Sequence, residues 1–240
     1  MQKSSVLGIP IHLSNDYVGW LASRIAENKG NHVVTLNAEM VMEAEKDQPL
    51  GEIIHAADLV IPDGAGVVLY LRLRGKSPQQ KRCPGIELAQ SLITQMGQKG
   101  EACPIVFYGG APGITEKAAQ IWRQKVPGIS ITTNHGFLSS EEQQQWQQTL
   151  QQLQPKIILV GLGVPRQEVW IRENRHLCPQ ATWIGVGGSF DIWAGVKLRA
   201  PGWLRNNNLE WLYRLYKEPW RWRRMLVLPQ FAFKAIINNQ

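Results

Sequence analysis

Cysteine is scarce in this sequence: three occur in 240 residues, and none belongs to a Cys-x-x-Cys pair. An odd number at wide spacing suggests neither a disulfide framework nor a zinc site. Free thiols are typical of a reducing compartment, so we expect a cytoplasmic protein. The three positions are Cys83, Cys103 and Cys178.

Long hydrophobic runs are missing too. No stretch of about 18 consecutive apolar residues occurs, which is the length that a membrane-spanning helix needs. The apolar run near the N-terminus is too short for a secretory signal. The composition, 44% hydrophobic and 19% charged, is typical of a globular protein with one large domain or one domain plus an appendage.

Several catalytic signatures are absent as well. No Asp-x-Asp follows a strand to hold a divalent ion on a diphosphate, and the Walker and Gly-x-Ser-x-Gly motifs do not occur. The five histidines form no pair at metal-ligand spacing. The sequence therefore predicts neither a metal site nor a bound cofactor.

Charge is distributed unevenly. Residues 197–240 hold nine Lys and Arg against two acids, which equals the whole net charge of +7, while residues 1–196 are neutral. This segment also carries four of the ten tryptophans, Trp203, Trp211, Trp220 and Trp222. We predict a core domain over 1–196 and a helical, basic, membrane-associating appendage over 197–240 that meets an anionic partner.

Apolar, β-rich runs alternate with segments of helical period. Such alternation predicts a Rossmann-like α/β fold with a mostly parallel sheet and helices on both faces. We predict strands at 32–36, 58–61, 104–108, 129–133, 156–161 and 182–186. We predict helices at 38–47, 64–74, 85–99, 112–125, 139–153 and 165–175.

Polar side chains follow the first two of these strands. In "DLVIPDGAGV", Asp63 stands at a strand end, where open parallel sheets bind ligands. In "VVTLNAEM", Thr35 and Asn37 lie where a strand gives way to a helix. Capping of the following helix is an equally ordinary task for Asp, Thr or Asn, so both interpretations stay open.

Two glycine-rich turns follow later strands. "FYGGAPGITEKA" contains Gly109, Gly110 and Gly113, and "VGLGVPRQEVW" contains Gly163. Both lead into a helix, whose first backbone N–H groups and positive end suit an anion such as a phosphate. Two such turns on one sheet favour a nucleotide-bearing ligand. His135, after another strand, either lines the same site or is a plain loop histidine.

Together these motifs resemble the WecG/TagA/CpsF family of bacterial glycosyltransferases from about Val6 to Trp222. The resemblance is carried by "VLGIPIHLS", "TLNAEM", "IPDGAGV", "KRCPGIEL", "FYGGAPG", "VGLGVPRQEVW" and "GVGGSFDIWAG". It implies transfer of an N-acetylaminosugar, typically N-acetylmannosamine from UDP, to N-acetylglucosamine on a polyprenyl diphosphate at the inner membrane face. One departure is that "TLNAEM" has Leu36 and Ala38 where relatives often have proline.

The resemblance also implies roles for single residues. Asp63 would be the catalytic base, Thr35 and Asn37 would contact the sugar region, and Arg82 and Gln167 would line the pocket. An inverting displacement needs one such base, whereas a retaining mechanism needs a second carboxylate. Glu39 and Asp191 could each supply a second carboxylate. We interpret Glu39 as a helix-start residue and Asp191 as a structural or pocket-wall residue.

The appendage offers further binding residues. We predict that Arg214, Arg221 and Arg224 hold the acceptor diphosphate, with the neighbouring tryptophans at the membrane interface. An alternative for the part before Pro219 is packing on the core or on another subunit of a homo-oligomer. Two other functions fit parts of the chain: a nicotinamide-dependent oxidoreductase and a nucleic-acid-binding protein. The first lacks an acid about 20 residues after a glycine fingerprint, and the second lacks a basic face on the core, so we expect no nucleic-acid partner.

Overall fold

A computed structural model describes residues 1–77 and 79–237, without the side chains of Arg221 and Arg224. The strands are β1 (Gln2–Val6), β2 (Ile9–Leu13), β3 (Asn31–Leu36), β4 (Leu59–Pro62), β5 (Ile105–Gly109), β6 (Ile131–Asn134), β7 (Ile157–Gly161) and β8 (Thr182–Gly185). The helices of the core are α1 (Tyr17–Ala26), α2 (Ala38–Ala44), α3 (Gln48–His55), α4 (Ala65–Leu73), α5 (Gly85–Gly97), α6 (Ile114–Lys125), α7 (Ser140–Leu153), α8 (Arg166–Asn174) and α9 (Ser189–Trp193). The C-terminal segment forms α10 (Gly202–Asn206), α11 (Glu210–Lys217), α12 (Trp222–Met225) and α13 (Val227–Ile237).

Six strands form one parallel sheet in the order β4-β3-β8-β7-β5-β6. All six strands predicted from the sequence are present, with ends that differ by one or two residues. The predicted Rossmann-like class and parallel sheet are therefore confirmed. Because every strand runs the same way, all carboxyl ends lie at one edge, where ligands of such sheets bind.

Helices cover both faces of the sheet, as predicted. Along each strand, alternate side chains enter different hydrophobic clusters. On β3, Val33 belongs to the cluster under α1, α5, α6 and α9, whereas Val34 packs with α2, α3 and α4. On β5, Val106 faces a third cluster with α7 and α8.

Several features of the core were missed by sequence reasoning, among them the helix α1 before β3 and the short helix α9 after β8. The antiparallel hairpin of β1 and β2 precedes the sheet. The predicted helix 38–47 ends early, because Asp47 caps a new helix: its side chain accepts from the Leu50 backbone N–H at 3.1 Å, and Pro49 stands in the first turn.

The C-terminal segment is helical, as predicted, and its last helix packs on the core. Phe231 of α13 is 4% exposed and belongs to the cluster of α2 and α4, with its ring 6.2 Å from that of Tyr70. Lys234 pairs with Glu45, and Arg74 donates to the Ala235 carbonyl at 2.6 Å. The proposed boundary at residue 196 stays a prediction.

Replacing Phe231 by Ala should lower the free energy of unfolding by about 3–5 kcal/mol, because a buried aromatic leaves a cavity. Phe233, two residues along the same helix, is largely exposed, and its Ala variant should change stability by no more than about 0.5 kcal/mol. Urea titration monitored by circular dichroism measures both. Equal, small effects would contradict a core role for α13.

Across the described residues, no helix combines the length and the apolar character needed to cross a membrane.

Candidate active site

The site begins where β3 and β4 end side by side. The backbone N–H groups of Asp63 and Gly64 both donate to the Leu36 carbonyl, at 3.0 and 3.2 Å. A Cβ on Gly64 would lie 2.8 Å from Cβ of Asn37, so glycine permits this close approach. Asn37 caps α2, since its side chain accepts from the Met40 N–H at 3.0 Å.

The Asp63 carboxyl group points toward the start of α5. Its Oδ1 accepts from the Gly85 N–H at 3.1 Å. Burial raises the pKa of Asp63 to about 6, against the opposing effects of Arg214, Arg82 and this hydrogen bond. A carboxyl group with a pKa of about 6 is ionised at neutral pH and is a stronger base than an ordinary aspartate.

Thr35 lies on β3, where it pairs with Ile61 of the strand that leads to Asp63. Thr35 is 8% exposed, and its hydroxyl donates to the Gly185 carbonyl of β8 at 3.3 Å. A Cβ on Gly85 would come within 2.7 Å of the Thr35 methyl group. Gly85 therefore lets the start of α5, whose Gly85 N–H donates to Asp63, approach the sheet at Thr35.

Two guanidinium groups share one carboxylate beside Asp63. Arg82 Nη2 lies 2.8 Å from Glu210 Oε2, and Arg214 Nη2 lies 2.9 Å from Glu210 Oε1. Arg82 precedes α5, whereas Glu210 and Arg214 belong to α11. The predicted residues Asp63, Arg82 and Arg214 are thus brought together from two distant parts of the sequence.

Glu210 was missed by sequence reasoning. Its spacing of four residues from Arg214 signals a helical ion pair, but Arg82 is 128 residues away. A second acid of this region, Glu87 on α5, pairs with Arg199 at 2.6 Å and with Arg205 at 3.4 Å. These ion pairs connect the beginning of the C-terminal segment to α5, whose first residue, Gly85, donates to Asp63.

The glycine turns lie further along the same sheet edge. Gly109, Gly110 and Gly113 have φ of +129°, +66° and +83° before α6, and Gly163 has φ of +75° before α8. A Cβ on Gly109 would stand 2.5 Å from the Gly161 carbonyl oxygen. Only glycine fits at this position, where the end of β5 lies against the end of β7 before the chain turns into α6.

Gln167 and His135 make internal hydrogen bonds near these turns. Gln167 is 2% exposed: it donates to Glu168 Oε1 at 3.0 Å and accepts from the Gly187 N–H at 3.0 Å. It therefore holds the loop after β8. His135 Nδ1 accepts from the Phe137 N–H at 3.2 Å. Contact of either side chain with substrate stays a prediction.

A cleft of about 370 Å³ opens beside these turns. It is lined by residues of β5, α7 and α8 and of the loops before those helices, among them Tyr108, Gly136, Pro165, Arg166 and Trp170. β4 and β7 are separated by β3 and β8, so the cleft lies roughly 14 Å along the edge from Asp63 at about 4.8 Å per strand. An elongated ligand would be needed to touch both.

The other predicted positions are placed as follows. Arg221 and Arg224 have side chains outside the described residues. In the described part of the chain, no group of three or more His, Cys, Asp or Glu residues is arranged to hold a metal ion. Metal independence and the lack of a cofactor remain predictions.

Comparison with known proteins shows which protein family this chain belongs to. The chain matches the model of the glycosyl transferase WecG/TagA/CpsF family over residues 4–240. Two similar proteins are each described as N-acetylglucosaminyldiphosphoundecaprenol N-acetyl-beta-D-mannosaminyltransferase. The one from Bacillus spizizenii is 37% identical over 215 residues, covering 89% of this chain and 81% of that protein. The one from Bacillus subtilis is 32% identical over 240 residues, covering 98% and 92%.

A Rossmann-like sheet with its ionisable site at the carboxyl edge, together with these relatives, defines a glycosyltransferase. The chain belongs to the WecG/TagA/CpsF family. The resemblance drawn from the sequence motifs and the enzyme class are both confirmed.

Proposed function

We propose that this enzyme transfers N-acetylmannosamine from its UDP donor to an N-acetylglucosamine attached to a polyprenyl diphosphate. The names of the relatives supply the acceptor and the sugar. The observation that carries the proposal is the Asp63 carboxyl group, whose pKa is raised to about 6, next to Arg82 and Arg214 at the sheet edge.

Asp63 acts as the general base. As the acceptor hydroxyl attacks the anomeric carbon, its proton passes to the Asp63 carboxylate. A new C–O bond forms, the bond to the UDP oxygen breaks, and its electron pair leaves with UDP. One displacement inverts the anomeric configuration, and no second carboxylate is required. Thr35, on the strand next to β4, contacts the sugar region.

The leaving diphosphate is stabilised by protein groups. The turns at Gly109–Gly113 and Gly163 lead into α6 and α8, where N–H groups and positive helix ends attract phosphate oxygens. The cleft next to them offers space for the uridine. Arg82 and Arg214 act near Asp63, where the acceptor diphosphate is held by paired hydrogen bonds.

The enzyme works without a metal ion under this proposal. Treatment with EDTA should leave turnover within about twofold of the untreated enzyme, because protein donors neutralise the leaving group. The measurement is UDP release with and without chelator. If EDTA stops turnover and Mg²⁺ or Mn²⁺ restores it, the proposed leaving-group site is wrong.

The enzyme binds the inner face of the cell membrane through its C-terminal segment. Trp203, Tyr216, Trp220 and Phe233 are each more than 60% exposed there, and the excess positive charge of the segment equals the whole net charge of the chain. Exposed aromatic and basic side chains suit an anionic lipid interface. Leu212 and Tyr216 of α11 are also exposed, so this face is open to lipid or to a second subunit.

A donor panel tests the proposed reaction. The enzyme is incubated with UDP-N-acetylmannosamine, UDP-N-acetylglucosamine or UDP-N-acetylgalactosamine and a short-chain lipid diphosphate carrying N-acetylglucosamine. Disaccharide-lipid formation with the mannosamine donor is the expected result. Transfer from another donor only would contradict the proposed sugar, and no transfer from any of them would contradict the acceptor.

A further inference from the structure

Glu210 occupies an unusual position for an acid in a basic segment. It is the first residue of α11 and is 7% exposed, whereas Arg214 on the same helix is half-exposed. Each of its carboxylate oxygens receives a different guanidinium group, Arg82 at Oε2 and Arg214 at Oε1. Arg199 Nε stands 3.9 Å from Oε1. A buried carboxylate with this many cations around it is held ionised, and its pKa is lowered by Arg214 and Arg82 despite its burial.

A short chain of contacts joins Glu210 to Asp63. Arg82 is followed by Cys83, whose N–H donates to the Pro62 carbonyl at 2.8 Å. Two residues later, the Gly85 N–H donates to Asp63 Oδ1. The loop before α5 is therefore bonded to the β4 end on one side and to α11 on the other.

The titratable and charged groups that act on Asp63 come from two elements. Arg82 belongs to the loop before α5, Arg214 and Glu210 belong to α11, and the Cys83 thiol is neutral because burial raises its pKa to about 12. Arg82 and Arg214 favour the ionised carboxylate and make it a weaker base. Glu210 acts in the opposite direction, since a like charge favours the protonated form.

We propose that Glu210 is a positioning residue that docks α11 on the loop before α5, aims Arg82 and Arg214 at the reaction centre and offsets part of their charge. This inference rests on the proposed function of Asp63 as the base. With Glu210 present, the three side chains leave one net positive charge beside Asp63. Without it, two uncompensated guanidinium groups would make Asp63 less basic and would lose their fixed direction.

Glu210→Gln tests this role, with Glu45→Gln as the matched control. Glu45 also pairs with a lysine of the C-terminal segment, Lys234, but it follows the last residue of α2, at the end of that helix opposite to Asn37. In Glu210→Gln, the acid limb of kcat/KM should move to lower pH by about half a unit to one unit. KM for the lipid acceptor should rise roughly tenfold, since the arginines are no longer held in place. Glu45→Gln should leave the acid limb unchanged.

A second variant and a second readout separate this role from simple destabilisation. Glu210→Asp keeps the charge, so its acid limb should return toward that of the wild type even if its KM stays high. The Asp63 side-chain ¹³C resonance, assigned by its loss in Asp63→Asn, reports the same titration without any substrate. Its midpoint should fall in Glu210→Gln and not in Glu45→Gln.

The outcomes distinguish the two proposals. A wild type that transfers no sugar overturns the proposed function, and the ¹³C titration still measures the charge effect of Glu210. An active wild type whose Asp63 midpoint and acid limb are unchanged in Glu210→Gln overturns the role of Glu210. An equal shift in Glu45→Gln also overturns it, because loosening of the whole segment would then be the cause.

Discussion

Asp63→Asn should reduce turnover by about 10²- to 10⁴-fold, the usual contribution of a positioned general base. The amide oxygen of Asn can still accept the hydrogen bond from the Gly85 N–H, so the geometry of the β4 end should be kept. UDP affinity should stay close to that of the wild type, because the glycine turns lie several strands away. Steady-state kinetics and UDP titration calorimetry measure the two effects.

The same carboxyl group sets the pH dependence. Its folded-state pKa of about 6 lies above the ordinary value of 3.8. Activity that needs the carboxylate should therefore fall as pH drops through about 6. Stability behaves in the opposite direction: the folded protein holds this proton more tightly, so stability falls as pH rises from about 4 to about 6 and then levels off. At pH 7, Asp63→Asn should be no less stable than the wild type.

Asp47→Asn is the matched control for this substitution. Asp47 caps α3, a task that asparagine performs about equally well, so both turnover and stability should be unchanged. An Asp63→Asn enzyme within threefold of wild-type turnover would rule out Asp63 as the base.

Replacing both Trp220 and Trp222 by Ala should weaken binding to anionic vesicles by at least about a hundredfold. Each large side chain that is removed from an apolar environment loses about 1.5–3 kcal/mol of binding free energy. A loss of about 1.4 kcal/mol raises the Kd tenfold. Both residues are more than half exposed on the chain, so folding should survive. Transfer to a long-chain lipid acceptor should fall with vesicle binding, while UDP affinity should not.

Vesicle sedimentation at low and high salt is the direct measurement. Binding of the wild type should be stronger to anionic than to neutral vesicles and should weaken with salt. Phe137→Ala is the control, because this aromatic is 68% exposed on the loop after β6, at the opposite end of the sheet from β4. Negligible wild-type binding to both vesicle types would refute membrane docking.

Local pattern was enough to predict most of the core. Near-continuous apolar strands such as "KIILVG", alternating with helices, permit only a sheet covered on both faces, and the carboxyl ends of parallel strands must share an edge. The placement of Asp63 and Asn37 at one edge follows from that rule, whereas their adjacency comes from the order of the strands. The break between α2 and α3 was missed because the helical period continues through Asp47. In the structure, the Asp47 side chain instead caps the start of α3.

The sequence by itself determined the α/β class, the helical C-terminal segment, the family motifs and the strand-end residues, because these depend on periodicity and on neighbours along the chain. Only the tertiary structure decided that Glu210 joins Arg82 to Arg214, that Gln167 supports the loop after β8, and that Phe231 completes the core. Each of these contacts spans 20 residues or more. A contact between distant residues depends on how whole helices pack. A local sequence pattern therefore cannot predict which two buried charged residues will form an ion pair.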